Sequence, residues 1–378
     1  MKQDGWQFSP ATVIALLAAC FASRALATTD PFLLLSSPSL VSNQVQFTLT
    51  GESGVPYVIE SSEDLQNWAT IATITNSTIA RLITLDAPNN PTFYRAWRRL
   101  LPVFAAAVAT KNGIDFKGQN VRVDSYDSAD PNYSTNGLYD PNHPKAGGDI
   151  ASESGPINVQ NGDIKGKLLT GPSVPLPTLL NGEVGDLNWN TQGAIEPGWY
   201  RNDFRFVIPD VQPPFGSGYS VVKIGSTNIV GNGNYLFTGD LALNSGEVLL
   251  VSGNAKLYVT GNFTMKASGA NSSAINIPGN ASLKLYVGGQ TTTLQQVNVN
   301  GNSFQFMCFG LTNNTSISWI GNAIYSGEVY APEATLSFGS GGNSPMDFEG
   351  ACVAQSIAIN GHLSIHYDED LKRTGPAR

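Results

Sequence analysis

The sequence predicts an all-β protein: a right-handed parallel β-helix with rungs of about twenty residues, preceded by a small antiparallel β-sandwich-like module. Three observations carry this. Only 13% of the 378 residues are charged and 39 are Gly, a balance that suits turns and strand faces better than long solvated helices. Gly-Asn dipeptides begin at 231, 233, 253, 261, 279, 301, 321 and 342, with Gly361-His362 in the same position, and from 279 onward the intervals are 22, 20, 21 and 19. Between these points apolar residues alternate: Leu257 with Val259, Leu283 with Leu285 and Val287, Phe304 with Phe306 and Cys308, Leu336 with Phe338, Leu363 with Ile365.

An even spacing of this size marks a solenoid. Gly and Asn most readily take positive φ, so a rung that turns sharply at a fixed corner selects them there. The alternating apolar residues then stack inside the tube, and backbone hydrogen bonds run from rung to rung. A β-sandwich also has regular short strands, but it does not demand corners so evenly spaced.

Along the chain, residues 1–27 read as a signal peptide. Lys2 precedes an apolar run from Ala11 to Ala22 that is too short to span a bilayer, and Ala25-Leu26-Ala27 supplies small residues for cleavage before Thr28. The alternative is Leu17-Ala18-Ala19-Cys20, which resembles a lipobox and would place a lipid anchor on Cys20. Secretion, or a cell-surface or periplasmic location, follows either way. The net charge of −8 and the lack of a large basic cluster speak against nucleic acid as a partner.

Residues 28–100 form the small module. Gln44-Val45-Gln46-Phe47-Thr48-Leu49 alternates, and Tyr57-Val58-Ile59-Glu60, Arg81-Leu82-Ile83-Thr84-Leu85 and Thr92-Phe93-Tyr94-Arg95 follow turn clusters. The stretch from Tyr57 to Trp68, closed by Phe93-Tyr94-Arg95-Ala96, resembles a module common in secreted bacterial proteins. After a short linker near Arg98 to Pro102, the β-helix domain is expected over 101–371, with an irregular insertion at about 172–214 and a tail at 372–378.

Two motifs in that domain carry a resemblance. Val123-Asp124-Ser125-Tyr126-Asp127-Ser128 and Gly137-Leu138-Tyr139 lie near its start. Near its end are Gly327-Glu328-Val329-Tyr330-Ala331-Pro332, Gly350-Ala351, Gly361-His362 and Ile365-His366-Tyr367-Asp368-Glu369-Asp370-Leu371. Together they resemble an exported bacterial β-helix domain, without an assigned function, that is seen in proteins similar to accessory proteins of pilus assembly. The resemblance covers roughly 104–371 and implies association with a pilus-like or cell-surface assembly.

Candidate sites are few. Asp124, Asp127 and Asp130, with Asn132 and Asp140, form the densest carboxylate run, and such oxygens suit calcium; the same residues also simply make turns. Cys308 and Cys352 form either a disulfide or two separately buried thiols. Glu328 and Glu349, 21 positions apart, would stack on one face as a carboxylate pair, and Trp68 would offer a stacking surface for a sugar. His362 and His366 fall in a strand and lack the helical arrangement of a zinc hydrolase. Tyr367, Asp368 and Glu369 are expected to cap the last rung. No nucleophile elbow or phosphate loop is recognisable. The reading is a non-catalytic exported structural or surface-interaction protein; the alternative is a polysaccharide-active β-helix enzyme or carbohydrate-binding adhesin.

Overall fold

In the computed structural model, the structure describes residues 34–50, 56–75, 80–88, 92–98, 103–117, 120–204, 208–268, 271–321, 325–340 and 346–374. The leader expected at 1–27 with Cys20, the Gly342-Asn343 corner and residues 375–378 lie outside them. Among the described residues no helix is long and apolar enough to cross a membrane. The chain divides into two compact units, Met1–Leu101 and Pro102–Arg378.

The first unit holds two antiparallel sheets. Gln44–Thr50 pairs with Ala80–Asp86 on one side and with Leu34–Leu35 and Ser39–Val41 on the other. Pro56–Ser62 pairs with Ala69–Thr75 and Phe93–Arg98. The period-two pattern of Gln44–Thr50 turns Val45, Phe47 and Leu49 inward, where they meet Tyr57, Ile59 and Ile83. That is the sandwich the alternation predicts.

The second unit is a three-faced parallel β-helix. On its first face, parallel pairing runs in order through Tyr200–Arg201, Leu168–Thr170, Ile150–Ser152, Val108–Thr110, Cys352–Asn360, Glu328–Ser340, Phe306–Gly310, Ser282–Val287, Asn254–Val259 and Gly233–Phe237. The stack order is therefore not the chain order. The first rung, at 108–126, is wedged between the second rung and the last one. From there the chain builds outward to Arg201, crosses to the far end, and builds back through 233–368 until it meets its own beginning.

The crossing segment is Pro-rich, with Pro209, Pro213 and Pro214. It leaves the coil where Phe204 N–H donates to Thr170 O, and it rejoins where Tyr219 N–H donates to Asn234 O. At about 4.8 Å per rung the eight intervals between those points span about 38 Å. Fifteen extended residues reach about 50 Å, and proline favours that conformation. On the way Tyr330 Oη donates to Pro209 O at 2.7 Å, Lys111 Nζ meets Asp210 at 3.2 Å, and Phe215 lies edge-on to Tyr258.

This corrects the insertion expected at 172–214. Thr178–Leu179, Glu183–Gly185, Ala194–Ile195 and Tyr200–Arg201 all pair in parallel with earlier rungs, so the coil continues to Arg201. These strands are two or three residues long, too short for periodicity to register.

Inside the tube, Trp319 packs against Tyr325, Phe338 and Phe348 and donates from Nε1 to Gln295 O at 3.0 Å. The corners use glycine in two ways. Gly233, Gly301 and Gly361 have positive φ, as expected. Gly253 and Gly261 instead leave room for the preceding rung's Asn232 and Asp240, whose Oδ1 atoms accept from the Asn254 and Asn262 N–H groups at 2.8 and 2.7 Å. A side chain on one rung thus caps a backbone donor on the next.

Candidate functional site

The two motifs that open and close the domain meet on its third face. Arg122–Tyr126 pairs in parallel with Leu363–Asp368, with Asp124 opposite His366 and Tyr126 opposite Asp368. One outward column therefore runs Ser326, Glu349, His366, Asp124, and the neighbouring one runs Asp347, Ser364, Arg122, Asp163, Glu183. Chemistry-bearing side chains stand rung above rung.

His366 sits at the centre. Its Nδ1 lies 2.5 Å from Asp124 Oδ1 and its Nε2 lies 3.5 Å from Asp347 Oδ1. Tyr139 stacks on the imidazole at 3.6 Å between centroids and donates from Oη to Asp124 Oδ2 at 2.9 Å, while Arg122 reaches the same oxygen at 3.3 Å. Burial by itself pushes the imidazole pKa down, but its bonds to Asp124 and Asp347 outweigh this and raise it to about 9. At neutral pH His366 is an imidazolium held between two carboxylates.

A ring of further bonds surrounds this pair. Ser125 Oγ donates to Glu369 at 2.9 Å and accepts from Gly147 N–H at 2.7 Å, and Lys145 binds Glu369 at 2.6 Å. Arg373 bridges Asp127 and Asp370. The Asp368 Oδ1 atom accepts from the N–H groups of Ser128 and Asp370, both at 3.0 Å. The segment between Asp127 and Gly148 thus lies over the outer face, and Asp124 and His366 are buried beneath it.

Each acid of the carboxylate run has a partner within the chain. Asp124 is turned to His366, Asp127 to Arg373 and Lys145, and Asp130 to the Asn132 backbone and side chain. Asp140 likewise caps Asn142. Among the described residues no group of three or more His, Cys, Asp or Glu is arranged to hold a metal ion. Spacing along a loop did not reveal that each acid had its own partner.

Glu328 and Glu349 do not stack. Val329 pairs with Cys352, a rung of 23 residues, so a spacing of 21 falls two short of register. Glu349 pairs with Ser326 before the Gly350 corner, and Glu328 pairs with Met307 after the Gly327 corner. Glu328 is wholly buried, and burial raises its carboxyl pKa to about 8. Trp68 has the Arg95 guanidinium 4.1 Å from its ring centroid, so one face is already covered.

Cys308 and Cys352 are buried and free. Both lie in register with Val329, one rung to either side, so about 9.6 Å separates them at 4.8 Å per rung. A disulfide needs Cα atoms within about 7 Å. The bridge is excluded by stack position, and the two-thiol alternative stands.

Tyr367, Asp368 and Glu369 do not cap an end of the stack. Their strand is last in the chain but central in the coil, with neighbours on both sides. The sequence held both motifs; that they were adjacent strands was not visible in either.

Residues 216–374 match a family model described as a domain of unknown function, DUF7305. The matched stretch begins near the end of the crossing segment and includes every rung of the returning arm. One solved structure, the Shewanella frigidimarina ice-binding protein_1 DUF3494 domain, is 12% identical, covering 71% of this chain and 95% of its own, with a TM-score of 0.26. A likeness that distant carries no functional argument. No curated protein matches the chain.

Proposed function

We propose that the chain is an exported, non-catalytic structural or surface-interaction protein: a rigid β-helical body carrying a small β module, associated with a cell-surface or pilus-like assembly. One observation carries the reading. The most chemically reactive residues, in the Asp124 and His366 motifs, are paired with one another and covered, and they join the first rung to the last. Groups held in this way stabilise a closure and are not free to act as nucleophile or base.

The exposed surface has a different character. On the second face, Thr264, Thr293, Ser318, Ser337 and Ala358 form one outward column, beside Thr291, Ser316, Thr335 and Ser356. Hydroxyls bond along these columns, Ser318 to Ser337 and Thr335 to Ser356, each at 3.1 Å. A flat surface of small hydroxyl groups fixed at rung spacing suits adhesion to an extended partner, and none of these side chains titrates near neutral pH.

The test is a panel of acidic and neutral polysaccharides, scored for retention and for new reducing or unsaturated ends. No new ends are expected with any of them. Cleavage that disappears in Glu328→Ala or Glu349→Ala would overturn the proposal.

A further inference from the structure

Next to the closure lies a set of polar groups that it does not use. Neither carboxylate oxygen of Glu328 has a hydrogen-bond partner, and Asp368 Oδ2, Tyr126 Oη and Ser303 Oγ are likewise enclosed and unpartnered. All four residues have 0% exposure. They converge from separate rungs: Ser303 from the turn Ser303–Gln305, Glu328 from the start of Glu328–Ser340, and Tyr126 and Asp368 from directly paired strand ends. The Ser303 hydroxyl lies near enough to Glu328 and Tyr126 to lower the pKa of each, though outside hydrogen-bonding geometry, and the charge of Asp368 raises both.

Five orphaned oxygen atoms in one buried place call for an occupant, because an unpartnered buried polar group is costly and native structures satisfy nearly all of them. The surrounding cations are already engaged: His366 by Asp124 and Asp347, Arg373 by Asp127 and Asp370, Lys145 by Glu369 and Asp127. The donors are carboxylate and hydroxyl oxygens, with no thiol or imidazole among them, which is the ligand chemistry of hard cations. A surface crevice of about 410 Å³ opens alongside, lined by Ser128, Asn136, Asn302, Gln305 and Asp370. Ser128 binds the other oxygen of Asp368, and Asn302 directly precedes Ser303.

We propose that Glu328, Asp368, Tyr126 and Ser303 form a binding site for a hard divalent cation of the calcium class, reached from this crevice and fastening the first rung to the returning arm. Glu328 gives up its proton when the ion binds, so two carboxylates balance the charge, and water from the crevice completes the coordination shell that calcium takes. The site is separate from the run at Asp124, Asp127 and Asp130.

The experiment uses the full chain from Thr28 onward, stripped with chelator. Calcium is titrated while the melting temperature is followed, and terbium(III) is titrated while its emission is excited through tyrosine. Calcium raises the melting temperature of the wild type and displaces sensitised terbium. Glu328→Gln weakens both responses by about tenfold or more, the scale of losing one charged ligand, and Asp130→Asn leaves both unchanged. The proposal is overturned if folded wild type shows neither response, or if the responses survive Glu328→Gln and vanish in Asp130→Asn. Should Glu328→Gln fail to fold, absence or presence of calcium-displaceable terbium emission in the wild type decides the matter.

Discussion

Asp124 and His366 are separated by 242 positions in the chain and meet at 2.5 Å on adjacent parallel strands. Their contact marks the point at which a solenoid, normally a one-dimensional stack with open chain order, is closed on its own first rung. The wedged rung at 108–126 is paired on both sides and so has no free edge.

The first prediction concerns pH. The His366 pKa is raised from 6.5 to about 9, so its stabilisation is complete below about pH 6.5 and is lost as the pH rises through 9. The loss is on the order of 3 kcal/mol. Glu328, raised from 4.5 to about 8, also lowers stability as pH rises, but between about pH 4.5 and 8. Between pH 8 and 10 the buried thiols of Cys308 and Cys352, whose pKa values are also raised, lose stabilisation too, so in urea denaturation the histidine is read from the difference between wild type and His366→Gln. The wild type should weaken there, and His366→Gln, weaker from the start, should lose less. A flat wild-type profile would remove the imidazolium from the closure.

The second concerns the Gly327 and Gly350 corner, which the Gly-Asn pattern did not include. Gly350 has φ +153°, and a Cβ there would collide with the Gly327 carbonyl oxygen. Gly350→Ala should cost about 2–4 kcal/mol, combining backbone strain with displacement of a packed rung. Gly246 has φ +80° with nothing within 4 Å, so Gly246→Ala should cost only about 1–2 kcal/mol. Equal losses in paired melting experiments would contradict the steric account.

The third concerns the thiols. Burial raises the Cys308 thiol pKa to about 12 and also raises that of Cys352. A thiol reagent at pH 8 should find neither group in the folded chain from Thr28 onward and both in urea without reductant. One reactive group or none in urea would restore a bridge.

The fourth concerns the crossing segment. Tyr330→Phe removes its hydrogen bond to Pro209 O and should cost about 1 kcal/mol. Limited proteolysis between 204 and 219 should accelerate while the global melting transition stays close to that of the wild type. Unchanged cleavage would mean that the bond does not anchor the segment.

Much of the fold was legible in the sequence because it is written in local spacing. Inward residues such as Leu283, Leu285 and Phe338 alternate with polar neighbours, and turns recur where Gly301 and Gly361 take positive φ. Such signals depend on neighbours within one rung, so one chain suffices to read them. The short strands between Thr178 and Arg201 escaped for the opposite reason, since two or three residues contain no period.

What the sequence by itself determined is therefore the rung: its length, its corners and its inward face. Only the tertiary structure decided the order of the rungs, because parallel strands with similar alternation pair equally well on paper. That order turned an expected cap at Tyr367, Asp368 and Glu369 into a central junction, separated Glu328 from Glu349, and placed Cys308 and Cys352 two rungs apart. It also assigned partners to Asp124 and His366. Pairing across 242 residues is settled by which strand edges remain unsatisfied once the local rungs have formed.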